Sequence, residues 1–239
     1  MKIYARATLL ILVLILNGCA LGGAYSAKSI EGWVVDNVSK KPLDGVVVVA
    51  GWMLEGGPFE LQSLEYLTVM ETVTDPAGRY AFPAWGPKSI PKHLPLNAHF
   101  VVEAPGLHFF KSGYQYQYLS NEIIELDRFG PSVRDSRWNG KTIALKPATD
   151  MEMRRQSWTS LESALYTYES TVGPCYWRQI PNAVIAEHRE FEILKAAKVA
   201  SNSVGKSKLG FMLAYQEDYY AKEHPECGSP KAFFEGLMK

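Results

Sequence analysis

The sequence predicts a mainly β fold, a β-sandwich, followed by a helical segment that packs on it. Short runs of alternating apolar and polar residues recur between Ile30 and Leu145, and turn-forming residues separate them. The alternation stops after Pro147, where apolar residues recur at helical spacing instead. The chain has 239 residues and a hydrophobic content of 47%, which is enough for a sizeable core.

The N-terminal residues are typical of an exported protein. Lys2 and Arg6 precede an apolar run that is too short to cross a membrane, which is the pattern of a secretory signal. The run ends in a tetrapeptide that resembles the lipobox of bacterial lipoproteins, Leu16-Asn17-Gly18-Cys19.

The lipobox resemblance implies a signal peptide over 1–18, an acyl chain on Cys19 and a tether over 19–28. Ala20 follows the cysteine, where Asp would signal retention in the inner membrane. We therefore expect a lipoprotein of the cell envelope, anchored in the outer membrane and facing the periplasm if the cell is Gram-negative. An ordinary signal peptide with an incidental cysteine is the alternative.

Export also bears on the two other cysteines. Once Cys19 is lipidated, Cys175 and Cys227 form an even pair in an oxidising compartment, so we predict a disulfide between them. Closing that loop would stabilise the fold by about 4 kcal/mol. A reactive thiol or a metal-binding pair is the alternative, but it lacks a Cys-x-x-Cys motif and a neighbouring histidine.

The predicted sandwich covers 29–147. A strand over Ile30–Val35 and a strand over Gly45–Trp52 are joined by a polar hairpin connection over 37–42. A type I turn is expected at Asp75-Pro76-Ala77-Gly78. The remaining predicted strands contain Tyr80 and Phe82, Phe100 to Ala104, Leu107 to Phe110, and Thr142 to Leu145.

Several of these residues resemble the carboxypeptidase regulatory-like family. The matching motifs are Gly32-x-Val34-x-Asp36, Pro42-Leu43-x-Gly45-Val46-x-Val48-x-Ala50, Thr74-Asp75-x-x-Gly78-x-Tyr80-x-Phe82 and Ala104-Pro105-Gly106. The resemblance implies a seven-stranded Greek-key sandwich, transthyretin-like or Ig-like and related to Cna B-type repeats. Such modules are usually structural, adhesive or binding units.

The strands Ile30–Val35 and Gly45–Trp52 are apolar on both faces. Their outward set contains Trp33, Val35, Val47 and Val49, whereas an exposed face should be polar. We therefore predict that the C-terminal region, 148–239, covers this face.

Four helices are predicted in that region. Thr149 is the expected N-cap of the first, with Glu152 completing a capping box, and Gly173-Pro174 ends it. The second and third are predicted over Ala183–Ala200 and Lys206–Lys222, and the last opens at Ser229-Pro230.

Three segments depart from the family pattern and could form a partner surface or plain decoration: Met53–Leu64, 83–96 and 127–140. A further candidate is Tyr114, Tyr116 and Tyr118, which share one face if the chain is extended there. Such a ladder could stack on sugars or line a protein interface, or pack as ordinary strand residues. Trp85 and Trp138 would support recognition if they converge on it.

Several chemistries lack a signal, so we predict neither metal nor cofactor. His188 and Glu192 stand one helical turn apart and form at best half a zinc site. His93, His99 and His108 lie close in sequence, but no carboxylate pattern supports them. The formal net charge of zero gives no reason to expect nucleic acid.

Enzyme motifs are missing as well. There is no Gly-x-Ser-x-Gly elbow, and the Tyr-Arg-Gly-Ser signature of the related hydroxyisourate hydrolases is absent. We therefore expect a non-enzymatic, lipid-anchored envelope protein with a structural or protein-binding role. Glycan or peptidoglycan binding through the tyrosines, and a periplasmic hydrolase, are the alternatives.

Overall fold

The computed structural model describes residues 24–57, 63–95, 97–121, 133–199 and 205–238. The predicted signal peptide and Cys19 lie outside these ranges. The N-terminal part is built from strands and the C-terminal part from helices, as the sequence predicts. Eleven strands run through the described residues: β1 (Ala24–Ala27), β2 (Ile30–Asp36), β3 (Val47–Gly56), β4 (Ser63–Val73), β5 (Arg79–Phe82), β6 (Trp85–Ser89), β7 (His99–Phe100), β8 (Gly106–Phe110), β9 (Gln117–Leu119), β10 (Val133–Arg134) and β11 (Lys141–Leu145).

The smaller of the two main sheets has the order β11-β2-β5. Strand β2 is antiparallel to β5 and parallel to β11. The alternation in β2 is regular, because Ile30 and Val34 are buried while Glu31 and Trp33 are exposed. The connection after β5 is short, and the predicted turn before β5 is present: the amide of Gly78 donates to the carbonyl of Asp75 at 2.8 Å.

The larger sheet has the order β4-β3-β8-β9, and β7 also pairs with β3. The hairpin predicted between the first two strands is therefore wrong, because β2 and β3 belong to different sheets. Only an isolated bridge joins Val35 to Pro42. Gly45 then adopts a φ of 64°, and the chain leaves the smaller sheet for the larger one.

The inner faces of the two sheets enclose the main core. Trp52 lies at its centre and contacts Trp85 edge to face, with ring centroids 5.5 Å apart. Residues from every strand of the smaller sheet contribute, and fully or nearly fully buried members include Val34, Val48, Phe82, Phe109 and Leu145.

A third, peripheral sheet has the order β10-β1-β6. It falls in segments that were predicted as tether or loop. Tyr25 explains why β1 is fixed, because its ring is buried in the main core and its hydroxyl donates to the carbonyl of Ala98 at 2.5 Å. Residues 24–27 of the tether predicted over 19–28 therefore form a strand, and 19–23 lie outside the described residues. The predicted loops 83–96 and 127–140 likewise contribute β6 and β10.

Two other segments differ from the prediction. Half of the insertion Met53–Leu64, residues 53–56 and 63–64, lengthens the β3–β4 hairpin, since Met53 pairs with Tyr66 and Gly56 with Ser63; residues 58–62 lie outside the described ranges. The run from Phe100 to Ala104 is a strand only at its start. The amide of Ala104 donates to the carbonyl of Val101 at 3.1 Å, which closes a turn there.

Five residues separate the end of β11 from the start of the first helix. Asp150, not the predicted Thr149, caps the first helix, because its carboxylate accepts from the amide of Met153 at 2.8 Å. Gly173 ends that helix, and Ser229 caps the last one as predicted. The helices in the described residues are α1 (Met151–Val172), α2 (Pro181–Ala196), α3 (Lys208–Phe211, the π-helical turn Met212–Gln216, and Glu217–Glu223) and α4 (Pro230–Leu237).

The helices cover part of the outer face of the larger sheet. Val47 and Val49 are buried under them, as predicted, in a second core that includes Phe110 and Trp177. Glu71 of β4 fixes the start of α2, because its carboxylate accepts from the backbone amides of Asn182 and Ala183 at 2.8 and 2.6 Å. We call this helical layer, 151–238, the helical cover.

The prediction that Trp33 and Val35 are covered is wrong for Trp33 and only partly met by Val35. Trp33 remains 37% exposed and Val35 is partly buried. The reason is topological, because both side chains belong to the smaller sheet, whereas the helices lie against the larger one.

The helical cover contains the disulfide between Cys175 and Cys227. It joins the chain after α1 to the 3₁₀ turn before α4, beside the buried ring of Trp177. Within the described ranges, none of the helices is both long and apolar enough to cross a membrane.

Candidate functional site

The helical cover leaves one end of the larger sheet's outer face open. Val47 and Val49 lie under the helices, whereas the next outward positions of β3 line a groove of about 340 Å³. We call it the outer groove. Its lining comes from β3, β4, β8, β9 and the 101–104 turn: Gly51, Met53, Glu55, Leu64, Tyr66, Val101, Glu103, Ala104, Gly106 and Tyr118.

A β-bulge in β4 directs Tyr66 to the groove. Trp52 pairs with Thr68 but Met53 pairs with Tyr66, so Leu67 is an extra residue in the ladder. One extra residue reverses the side-chain alternation of a strand. Tyr66 consequently shares the outer face with the groove, where Leu67 would lie in an unbulged strand.

The floor of the groove is a pair of glycines under two tyrosine rings. Gly51 of β3 and Gly106 of β8 are direct cross-strand partners. A Cβ atom on Gly106 would lie 2.8 Å from Cε2 of Tyr118, and one on Gly51 would overlap the ring of Tyr66. Any side chain at these positions would lift the rings, so the glycines allow both tyrosines to lie close to the sheet.

An aromatic wall lies where the groove meets the helical cover. It consists of Tyr66, His108, Tyr116 and Tyr168 of α1. The ring of Tyr168 lies 5.0 Å from that of Tyr66 and 5.5 Å from that of His108, measured between centroids. The ring of Tyr118 also contacts that of His108, with centroids 4.7 Å apart and ring planes tilted by 47°.

The aromatic wall is uncharged at neutral pH. Burial lowers the pKa of His108 to about 4 and raises the pKa of Tyr66 to about 12. Nδ1 of the neutral His108 ring and the hydroxyl of Tyr116 form a hydrogen bond. The wall therefore contributes the uncharged ring of Tyr66 to the groove lining and places no charged group behind it.

The rim of the groove carries two carboxylates. Glu55 has an oxygen 3.3 Å from Nε2 of His99, and its side chain is 28% exposed. Behind Glu103 lies the buried Arg134, which donates to the carbonyl of Val101 at 2.6 Å. Burial lowers the pKa of Arg134, and its attraction to Glu103 opposes that shift.

The three tyrosines of the predicted ladder do not share one open face. The hydroxyl of Tyr114 donates to Asp36 at 3.0 Å, and its ring packs against the main core. Tyr116 belongs to the aromatic wall, and its amide donates to Ser157. Tyr118, which is 47% exposed, lines the outer groove. The three side chains do not line up because only Gln117–Leu119 of this segment is a strand. Ligand binding at Tyr118 stays a prediction.

The two tryptophans that could have supported the ladder lie elsewhere. Trp85 is buried in the main core against Trp52. Trp138 also packs against that core, and its indole N–H donates to the carbonyl of Ser120 at 2.8 Å. Neither lines the outer groove.

The histidines considered for metal binding have separate partners. His93 contacts Glu65, His99 contacts Glu55, and Nδ1 of His188 lies 2.7 Å from the hydroxyl of Ser207. In the part of the chain that the structure describes, the single cluster of metal-ligand spacing is Cys175, Glu226 and Cys227. Its two sulfurs are bonded to each other.

A second cavity of about 340 Å³ lies in the helical cover, lined by Glu169, Gln216, Tyr219 and His224 among others. Nε2 of His224 is 3.0 Å from the Tyr219 hydroxyl, and Nδ1 is 3.1 Å from the carboxylate of Glu226. A histidine between a carboxylate and a hydroxyl can accept and pass on a proton. We call this cavity the helical pocket.

Comparisons with known proteins add little to this geometry. No family model and no curated protein matches the chain. A crystal structure of a 9R-lipoxygenase from Cyanothece PCC8801 is similar to 69% of this chain at 13% identity, with a TM-score of 0.23. The match spans only 25% of the lipoxygenase chain.

Sequence reasoning missed most of the outer groove. Tyr66, Glu55 and Glu103 were not singled out, because their convergence depends on the bulge at Leu67 and on the pairing of β3 with β7 and β8. The one usable signal was the pair of strand-interior glycines, Gly51 and Gly106, since such glycines often mark close approach of another group.

Proposed function

We propose that the chain is a non-enzymatic, lipid-anchored protein of the cell envelope that binds another envelope protein through the outer groove. The observation that carries this proposal is the half-exposed ring of Tyr118 above Gly106, in a groove that the helices leave open. Concave surfaces with exposed aromatic side chains are favoured places for partner anchors.

We further propose that the two main sheets form a transthyretin-like sandwich of the carboxypeptidase regulatory-like type. The sheets β11-β2-β5 and β4-β3-β8-β9 enclose one buried core between their inner faces, which supports the proposal. The positive φ of Gly78 and its approach to the carbonyl of Val34 give a reason for the glycine of the Thr-Asp-x-x-Gly motif.

The anchor is tested by replacing Cys19 with serine. Because the acyl chain would be the membrane attachment, Cys19→Ser should move the protein from the membrane fraction to the soluble periplasmic fraction. Mass spectrometry of the mature N-terminus is the control for lipidation. Retention of the variant in the membrane fraction would contradict the anchor.

The binding role is tested by photo-crosslinking in intact cells. A photoreactive residue at Leu64, which is 50% exposed at the rim of the groove, should trap a defined protein. The matched control is Val38, which is 76% exposed but lies on the turn after β2, away from the groove lining. Equal products from both sites, or none from Leu64, would sink the proposed role of the groove.

A hydrolase is the second candidate, because His224 lines the helical pocket and contacts both Tyr219 and Glu226. In this reading His224 is the general base. Activity profiling of the secreted protein against ester and amide substrates should then give turnover that His224→Asn removes. Turnover that survives this change would exclude His224 as the base.

A further inference from the structure

We infer that the outer groove binds a basic side chain, lysine or arginine, presented by an extended segment of the partner protein. This inference rests on the proposed protein-binding function and names the chemistry that the groove recognises. It is drawn from the charge, the aromatic surface and the size of the groove.

The charge of the groove favours a cation. Among its ten described lining residues, the charged ones are Glu55 and Glu103, and both are acidic. His99 contacts Glu55 at 3.3 Å from outside the lining, and Arg134 is buried behind the groove. A ligand entering from solvent therefore meets carboxylates first, and an anionic ligand would be repelled.

The aromatic surface favours the same group. Tyr66 and Tyr118 lie close to the sheet over the glycine pair, and the ring of Tyr118 is 47% exposed. A cation near the face of a tyrosine ring is attracted by the ring quadrupole, typically by about 0.5–2 kcal/mol. Two tyrosines and two carboxylates around one cavity form a suitable receptor for an ammonium or guanidinium group.

The apolar lining suits the stem of such a side chain. Met53, Leu64 and Val101 contribute aliphatic surface, against which three or four methylene groups can pack while the charged head reaches the rim. The volume of about 340 Å³ is at the lower end of the range of about 300–1,000 Å³ that small-molecule sites occupy. It admits one or two side chains and excludes a folded domain.

The test uses the full-length lipidated protein in detergent micelles and fluorescein-labelled peptides. The probe is Gly-Leu-Lys-Leu-Gly, and the matched probes carry norleucine or glutamate in place of lysine. Fluorescence polarisation should show at least 10-fold tighter binding of the lysine peptide than of the norleucine peptide. The preference should weaken as salt rises from 50 to 500 mM, because the carboxylates are partly exposed.

Substitutions in the groove lining test which residues cause the preference for the lysine peptide. Glu55→Gln with Glu103→Gln should weaken the lysine peptide by at least 10-fold and leave the norleucine peptide unchanged. Tyr118→Leu should weaken the lysine peptide about 3- to 10-fold. Glu31→Gln, an exposed carboxylate on the smaller sheet, is the control and should change nothing.

Three outcomes would overturn the inference: equal binding of the lysine and norleucine peptides, no binding of the lysine peptide at 5 mM, or competition by a trimer of N-acetylglucosamine that the glutamate variants do not affect. The last would identify a glycan site. A protein trapped at Leu64 together with any of these results would leave the proposed function standing without the basic side chain. Failure of crosslinking alone would remove the function as proposed.

Discussion

The two main sheets have outer faces that look alike in sequence and differ in the folded protein. On the smaller sheet, Trp33 is partly exposed, and Glu31 forms a surface ion pair with Arg79 at 2.7 Å. On the larger sheet, Val49 is buried and Glu71 accepts hydrogen bonds from a helix N-terminus. Apolar residues on the outward face of a strand therefore do not show whether the helices cover that face. Whether they do depends on the sheet to which the strand belongs.

The largest expected effect comes from a charge under the helical cover. Val49→Asp should destabilise the protein by about 4 kcal/mol or more, because the carboxylate would be buried without a partner. The matched change on the smaller sheet, Val35→Asp, should cost about 1 kcal/mol or less. Urea unfolding followed by tryptophan fluorescence gives both values, and equal losses would refute the distinction between the faces.

The disulfide should stabilise the covered side. Cys175→Ser with Cys227→Ser should reduce the free energy of unfolding by about 4 kcal/mol, since the open chain gains conformational freedom. Limited proteolysis of the variant should cut the segment from α3 to α4 before the sheets, because the bond lies wholly inside the helical cover. Cleavage that begins in the sheets would contradict this order.

Two buried groups on the covered side should respond to pH in opposite directions. Burial raises the pKa of Glu187 from 4.5 to about 7, so its favourable contribution is complete below pH 4.5 and is lost as pH rises to 7. Burial lowers the pKa of His108 from 6.5 to about 4, so its contribution is complete above pH 6.5 and is lost as pH falls to 4.

The matched variants separate these two contributions. We compare the free energy of unfolding at pH 7 minus that at pH 4.5. Glu187→Gln should raise this value above that of the unsubstituted protein by up to about 3 kcal/mol. His108→Asn should decrease the same difference. Urea midpoints at the two pH values are the measurement, and shifts of the same sign in both variants would be inconsistent with burial as the cause.

The smallest expected effect concerns the two outward glutamates. Glu71→Ala should cost about 2 kcal/mol, because Glu71 is the partner of the backbone amides of Asn182 and Ala183. Glu31→Ala removes an exposed ion pair and should cost about 0.5 kcal/mol or less. Thermal unfolding of both variants gives the two stability losses. A larger loss of stability for Glu31→Ala than for Glu71→Ala would contradict this prediction.

The local features of the fold were predictable from sequence. The turn at Asp75 to Gly78, the cap at Ser229 and the buried positions of Val47 and Val49 follow from residue type and spacing. The choice between Thr149 and Asp150 did not, because both residues can cap a helix and they are adjacent. Only the hydrogen bond to Met153 distinguishes them.

The pairing of strands and the candidate site were harder to predict. No residue in 37–42 indicates that the chain passes there from the smaller sheet to the larger one. The bulge at Leu67 leaves no clear mark in the sequence, yet it determines that Tyr66 joins the outer groove. Glu55 and Glu103 are distant in sequence and converge because β3 pairs with both β7 and β8, the strands on either side of the 101–104 turn.

If Cys19 carries the proposed acyl chain, the position of β1 limits how far the folded domain can lie from the membrane. β1 begins at Ala24, five residues after the proposed lipid anchor at Cys19. Five residues span at most about 18 Å when fully extended. An anchored molecule would therefore sit almost against the lipid headgroups, and it would survey only a thin shell of periplasm. Its binding partner would have to reside in, or reach into, that membrane-adjacent layer.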